Sequence, residues 1–169
     1  MATNFLEELI AEWYEYQGYF IRRNINVGLR KKGGYECELD IVAFHPEKRH
    51  LVHIEASTDA SSWEQRDLRF KKKFDAGQQY IPSIFSGLDI PSSIEQYAVL
   101  VFASKKNRNK VGGKKFLLAS ELLIKMFKEI GNTDIFSSIV PEQFSLLRCL
   151  QFVYQNKDEV WKSFNDHET

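Results

Sequence analysis

Hydrophobic positions near the start of the chain recur at helical spacing: Leu6, Leu9, Ile10, Trp13 and Gln17 share one side at about 100° per residue. The pattern predicts an amphipathic core helix capped at Thr3 or Asn4, running to about Gln17 and stopped by Gly18. The period then changes. Tyr19 to Val27 reads as a strand carrying Arg22 and Arg23, and residues 28–34, GLRKKGG, as a basic turn. YECELDIVAF and LVHIEAS are rich in strand formers and flank the polar loop HPEKRH, which predicts a hairpin. A helix over Ser61 to Tyr80 follows, with Trp63, Phe70, Phe74 and Gly77 on one side, halted before Pro82. Gln96 to Ala103, QYAVLVFA, is nearly all apolar, as suits a central strand covered on both faces. KFLLA predicts a short strand and Glu121 to Ile130 a helix ended by Gly131. Pro141 takes the first position of a further helix through EQFSLLRCLQFVY, and Asn156 to Phe164 continues it or forms a last short helix.

The order α-β-β-β-α-β-(β)-α-α predicts an α/β fold whose sheet has helices on both faces. A chain of 169 residues with 43% hydrophobic and 27% charged residues fits one domain, with a core over about residues 3–131 and a helical extension over about 132–169. The 23 basic and 23 acidic residues balance, so only local clustering can argue for a polyanionic partner. Cys37 and Cys149 are too few for a disulfide framework and lack the spacing of a zinc site; reduced thiols are expected. With no basic leader before an apolar run and no apolar stretch of membrane length, the chain reads as soluble and cytoplasmic.

Chemistry enters through the hairpin. If Phe44 pairs with Leu51 across a six-residue loop, partner numbers sum to 95, and Asp40 stands opposite Glu55. Directly opposed carboxylates repel one another, and a divalent cation is the simplest compensation. Mg²⁺ suits such a pair because it takes one or two protein carboxylates together with waters and phosphate oxygens. The same register sets Ser57 beside Glu38, so that Glu38, Asp40, Glu55 and Ser57 make one polar patch. His45, His50 and His53 do not have zinc-site spacing, and His45 and His50 fall in the loop, away from that patch.

Gly34-Tyr35-Glu36-Cys37-Glu38-Leu39-Asp40 followed by Leu51-Val52-His53-Ile54-Glu55-Ala56-Ser57 resembles the PD-(D/E)XK nuclease superfamily, especially its small Holliday-resolvase-like and RecB-like members. In that family a Glu-bearing helix precedes a hairpin with G-x-E-x-D and a strand ending E-x-K. The resemblance covers residues 5 to about 103 and implies a restriction-endonuclease-like αβββαβ core with a mixed central sheet. It implies metal ligands at Asp40 and Glu55 and a helix glutamate at Glu7, with Glu8 the alternative; helix phase turns Glu8 and Glu12 further outward. Mg²⁺ is the implied cofactor, with Mn²⁺ a substitute, and the implied reaction is hydrolysis of DNA leaving a 5′-phosphate. Ser57 stands where the family has its lysine. Lys73, or failing it Lys71, lies on the flank of the following helix and is the replacement that helix phase favours.

Lys105, Lys106, Arg108, Lys110, Lys114 and Lys115 crowd one loop without an acid, and with Arg22, Arg23, Arg30, Lys31, Lys32 and Lys71 they are candidates for contact with DNA phosphates. Gly112-Gly113 would let that loop mould to a duplex. The expected function is a metal-dependent DNA endonuclease; the alternative is a catalytically inactive nuclease-fold subunit that binds DNA or assembles into a complex. A homodimer is implied by resemblance alone.

Overall fold

The structure is a computed structural model in which residues 4–131 and 139–165 are described. The chain parts into two compact units between Ser120 and Glu121. The first unit holds α1 (Phe5–Tyr16), β1 (Phe20–Leu29), β2 (Tyr35–His45), β3 (His50–Ser57), α2 (Trp63–Ile84), β4 (Glu95–Leu100), β5 (Lys110–Val111) and β6 (Lys114–Leu118). The helices α3 (Ala119–Ile130), α4 (Ser145–Gln155) and α5 (Lys157–Asn165) follow. The protein is therefore α/β, with a mixed open sheet ordered β1-β2-β3-β4-β6-β5. The strands β1, β2 and β3 run antiparallel, β3, β4 and β6 parallel, and β5 returns antiparallel along β6.

Asn4 caps α1, its side-chain oxygen accepting the Leu6 and Glu7 N–H groups at 3.0 Å; Thr3 lies outside the described residues. The helix ends at Tyr16, and Gly18 takes the left-handed φ of 87° that lets the chain turn into β1. Glu12, expected to point outward, is buried: buried positions run without a break from Leu9 to Tyr14, which at about 100° per residue covers every side of the helix. Successive β4 residues face opposite sides. Tyr97 reaches the Tyr14 hydroxyl of α1 at 2.6 Å, whereas Gln96 donates to the Phe74 carbonyl of α2, so the two helices cover opposite faces.

On the α2 side, Ala76 and Ile81, with Phe85 beyond the helix end, pack on Val42, Phe44 and Leu51. That packing carries α2 through Pro82 to Ile84, past the halt expected before the proline. So close to the helix end the ring removes one backbone donor, and burial of Ile81 and Phe85 holds the last turn down. β4 in turn is shorter than its apolar run. It leaves the sheet after Leu100, opposite the last residue of β3, and Phe102 is exposed. Pro141 does not open α4: Phe144 N–H closes a turn onto the Pro141 carbonyl at 3.0 Å, and the helix begins at Ser145. In this unit Gln151 ties the Val140 N–H (2.9 Å) to the Ile130 carbonyl (3.3 Å).

The β2–β3 hairpin has the expected register, with Phe44 opposite Leu51 and Ile41 opposite Ile54. Its loop is shorter than predicted, Pro46 to Arg49, because His45 and His50 pair as strand residues. Removing one residue from each side of a loop leaves every partner sum unchanged. The glycine pair is likewise ordered: Gly112 and Gly113, with φ of 56° and 80°, form the two-residue turn joining β5 to β6. A Cβ at Gly112 would lie 2.4 Å from the Lys71 backbone nitrogen, so this turn is seated on α2 and does not swing free.

Candidate active site

Backbone pairing between β2 and β3 stops at Ile41 and Ile54. Beyond that point β2 pairs with β1 and β3 with β4, and the next residues of the two strands are Asp40 and Glu55. Their side chains replace the missing backbone ladder. Asp40 N–H donates to Glu55 Oε1 at 3.3 Å, and Ala56 N–H donates to Asp40 Oδ2 at 2.9 Å. The pairing with β1 is also interrupted here: the ladder skips Asn24, whose φ of 50° is left-handed, while Arg23 and Ile25 on either side keep their partners. Asp40 thus sits at an irregularity on both of its edges.

The remaining two carboxylate oxygens converge on one cation. Lys73, three turns into α2, places its ammonium 2.5 Å from Asp40 Oδ1 and in hydrogen bond with Glu55 Oε2. Glu55 is fully buried, Asp40 nearly so, and Lys73 is largely covered. Burial and the neighbouring Glu55 raise the Asp40 pKa to about 6, against the pull of Lys73. Burial raises Glu55 as well, opposed by Lys73 and the Asp40 contacts. Desolvation would lower Lys73, but the two carboxylates outweigh it and hold the amine above its usual range. Lys73 is therefore a standing cation and not a base at neutral pH.

His53 belongs to this cluster, a residue sequence reasoning set aside with the other histidines. It is fully buried, with Nε2 2.7 Å from Glu55 Oε1 and Nδ1 3.0 Å from Gln96 Nε2. Burial lowers its pKa to about 3, so the imidazole is neutral and its contact with Glu55 is a hydrogen bond, not an ion pair. His45 and His50 lie at the other end of the hairpin as strand residues, not in the loop, with His50 bonded to the Tyr19 hydroxyl and Glu95.

Ser57 does not face the carboxylates alone. Its hydroxyl donates to Asp59 Oδ2 at 2.8 Å, and Arg69 donates to both, at 2.6 Å to Asp59 and 3.3 Å to Ser57. Burial alone would lift the Asp59 pKa; the Ser61 N–H, the Ser57 hydroxyl and Arg69 together hold it well below the usual carboxylate range. The place of the expected strand lysine is thus taken by a hydroxyl locked to an ion pair.

Glu7 lies on the first turn of α1 with its carboxylate bonded to Asn4. Burial and the nearby Asp40 raise its pKa, with Lys73 opposing and Glu38 adding. It shares the field of the site, but among the described residues no three His, Cys, Asp or Glu side chains form a metal-holding group. Glu8 is turned to Arg23, which also reaches Glu15 at 3.5 Å. The donor set fits Mg²⁺ or Mn²⁺ in kind: two hard oxygens, Asp40 Oδ1 and Glu55 Oε2, already point at one positive centre, and substrate and water would supply the rest.

The basic candidates separate into two groups. Arg22, Lys31 and Lys32 are exposed on β1 and its turn, while Arg23 is occupied by α1 acids. Lys105, Lys106, Arg108, Lys110, Lys114 and Lys115 belong to the β4–β6 connection and β6. These are opposite edges of the sheet, five inter-strand steps apart, or about 24 Å, so they are not one continuous patch. They do share an end of the sheet. The β1–β2 turn and the segment leaving β4 both lie where β3 finishes at Ser57. Arg108 pairs with Asp67 at 2.6 Å and covers the Trp63 ring, and Lys71 pairs with Asp75 at 2.8 Å, so neither is an uncommitted cation. Among the described residues no helix is long and apolar enough to cross a membrane.

No protein-family model matches this chain, and no curated protein matches it significantly.

Proposed function

We propose that this chain is a metal-dependent DNA endonuclease built on a restriction-endonuclease-like αβββαβ core, in which α2 supplies, as Lys73, the lysine absent from position 57. The observation that carries the reading is the ammonium of Lys73 bonded to both Asp40 and Glu55 where the two strands part. Asp40 and Glu55 would hold the ion; when bound, it supplies Lewis acidity toward a phosphate oxygen and acidifies its water. Lys73, held protonated by the two carboxylates, would stabilise negative charge developing on the phosphate. The exposed lysines at both sheet edges supply sequence-independent contacts to the flanking backbone.

A second reading is favoured by one feature: all four carboxylate oxygens have protein partners, so the acidic pair is compensated without a metal. On that reading the fold binds DNA and does not cut it. Supercoiled, linear, branched and single-stranded DNA incubated with the protein and Mg²⁺ or Mn²⁺, with binding measured alongside, separates the two. Metal-dependent cuts ending in 5′-phosphates and lost in Asp40→Ala are the expected result. Binding without cleavage supports the second reading, and neither binding nor cleavage removes both.

A further inference from the structure

The orientation of Glu55 is controlled from its own strand. His53 on β3 pairs in parallel register with Gln96 on β4, and the Gln96 amide touches two groups at once: the Phe74 carbonyl at 2.8 Å and His53 Nδ1 at 3.0 Å. A backbone carbonyl only accepts, so the amide must turn its NH₂ toward it. The second hydrogen of that NH₂ then goes to His53 Nδ1, which becomes the acceptor. In a neutral imidazole the remaining hydrogen is on Nε2, 2.7 Å from Glu55 Oε1. A carbonyl of α2 thus selects the tautomer of a histidine on β3.

The ring is also clamped in place. A Cβ at Gly77 would lie 2.3 Å from His53 Nδ1 and 3.0 Å from Gln96 Nε2, so only glycine lets α2 approach this closely. The Phe74 ring meets the imidazole edge-on at 5.7 Å between centroids. Glu55 Oε1 consequently has two donors fixed by the sheet, His53 Nε2 and Asp40 N–H, while Oε2 is bonded to the ammonium at the end of the long Lys73 side chain.

We propose that His53, locked as the Nε2–H tautomer by Gln96, is a positioning residue that commits Glu55 to one-oxygen coordination of a divalent cation through Oε2; this rests on the nuclease reading. Orienting partners of this kind typically change metal affinity by about 10- to 100-fold.

The test uses the full chain without DNA. Mn²⁺ binding is titrated for wild type, His53→Phe, His53→Gln and Gln96→Leu, and the ring nitrogens of ¹⁵N-histidine-labelled wild-type protein are read by NMR. Wild type should show a neutral Nε2–H imidazole for His53. His53→Phe should bind Mn²⁺ about tenfold or more weakly, His53→Gln should recover part of the loss through its amide donor, and Gln96→Leu should mix the tautomers and weaken binding less. An Nδ1–H tautomer in wild type, which needs no variant to fold, would overturn the inference. So would folded His53→Phe protein that binds Mn²⁺ as wild type does, with the nuclease reading left standing. Wild type that takes up no Mn²⁺ would remove both.

Discussion

The two ends of the β2–β3 hairpin share one register and are built in opposite ways. At the turn end the pairs from His45–His50 to Ile41–Ile54 form an unbroken antiparallel ladder, and the side chains of Val42, Phe44 and Leu51 are apolar filling. At the open end the ladder ceases, and two acids and a lysine span the gap. The first end holds the fold together at no electrostatic risk. The second places like charges in a dry setting, tolerable only while a cation balances them. Apolar packing and buried charge are thereby sorted along a single pair of strands.

Removing the balancing cation is the harshest way to break this contrast. Lys73→Met leaves two buried acids without compensation and should lower stability by about 3–5 kcal/mol, read by urea denaturation at pH 7.5, with cleavage lost; added Mn²⁺ should restore part of the stability. At the turn end, Leu51→Ala should cost about 2–5 kcal/mol through the cavity it leaves, while the folded fraction retains wild-type Mn²⁺ affinity. Loss of metal binding in that variant would show the two ends to be coupled.

A milder change acts through pH. Asp40 holds its proton to about pH 6 in the fold against an ordinary 3.8, so folding takes up protons between those values and the ionised group opposes folding above about pH 6. Asp40→Asn removes that pH dependence and leaves Lys73 paired with Glu55, but both Asp40 oxygens accept from donors, so the new NH₂ must face either Lys73 or the Ala56 N–H. It should abolish cleavage and flatten the fall in stability between about pH 4 and pH 6 in thermal melts. A variant whose stability still falls over that window as the wild type does would refute the strain assigned to this end. The smallest effect belongs to the edges: Lys106→Ala, an exposed lysine, should weaken DNA binding evenly across sequences and reduce the log–log salt slope by about one.

Asp40 and Glu55 were legible because a hairpin register needs only one pair, and the misjudged loop length cancelled from the sum. Lys73 could be found because helix phase separates a flank from an outward face. His53 could not. From the sequence it is one polar residue in an apolar strand, and its role depends on Gln96 and Gly77, distant in the chain and brought in by a parallel crossover. The Ser57–Asp59–Arg69 linkage escaped for the same reason, since it joins a strand end to the second turn of a helix. Phe102 shows the converse limit: apolar character extends a predicted strand past the point where its neighbour has ended.

The seating of the β5–β6 turn on α2 has a thermodynamic consequence. With Val111 wholly buried and Gly112 N–H held by Asp67 at 2.9 Å, Lys110, Lys114 and Lys115 project from an already ordered ribbon. A polyanion meeting them need not supply the free energy of arresting a loose segment, so more of each contact survives as affinity. The same seating limits how far this edge can adapt its shape to whatever it meets.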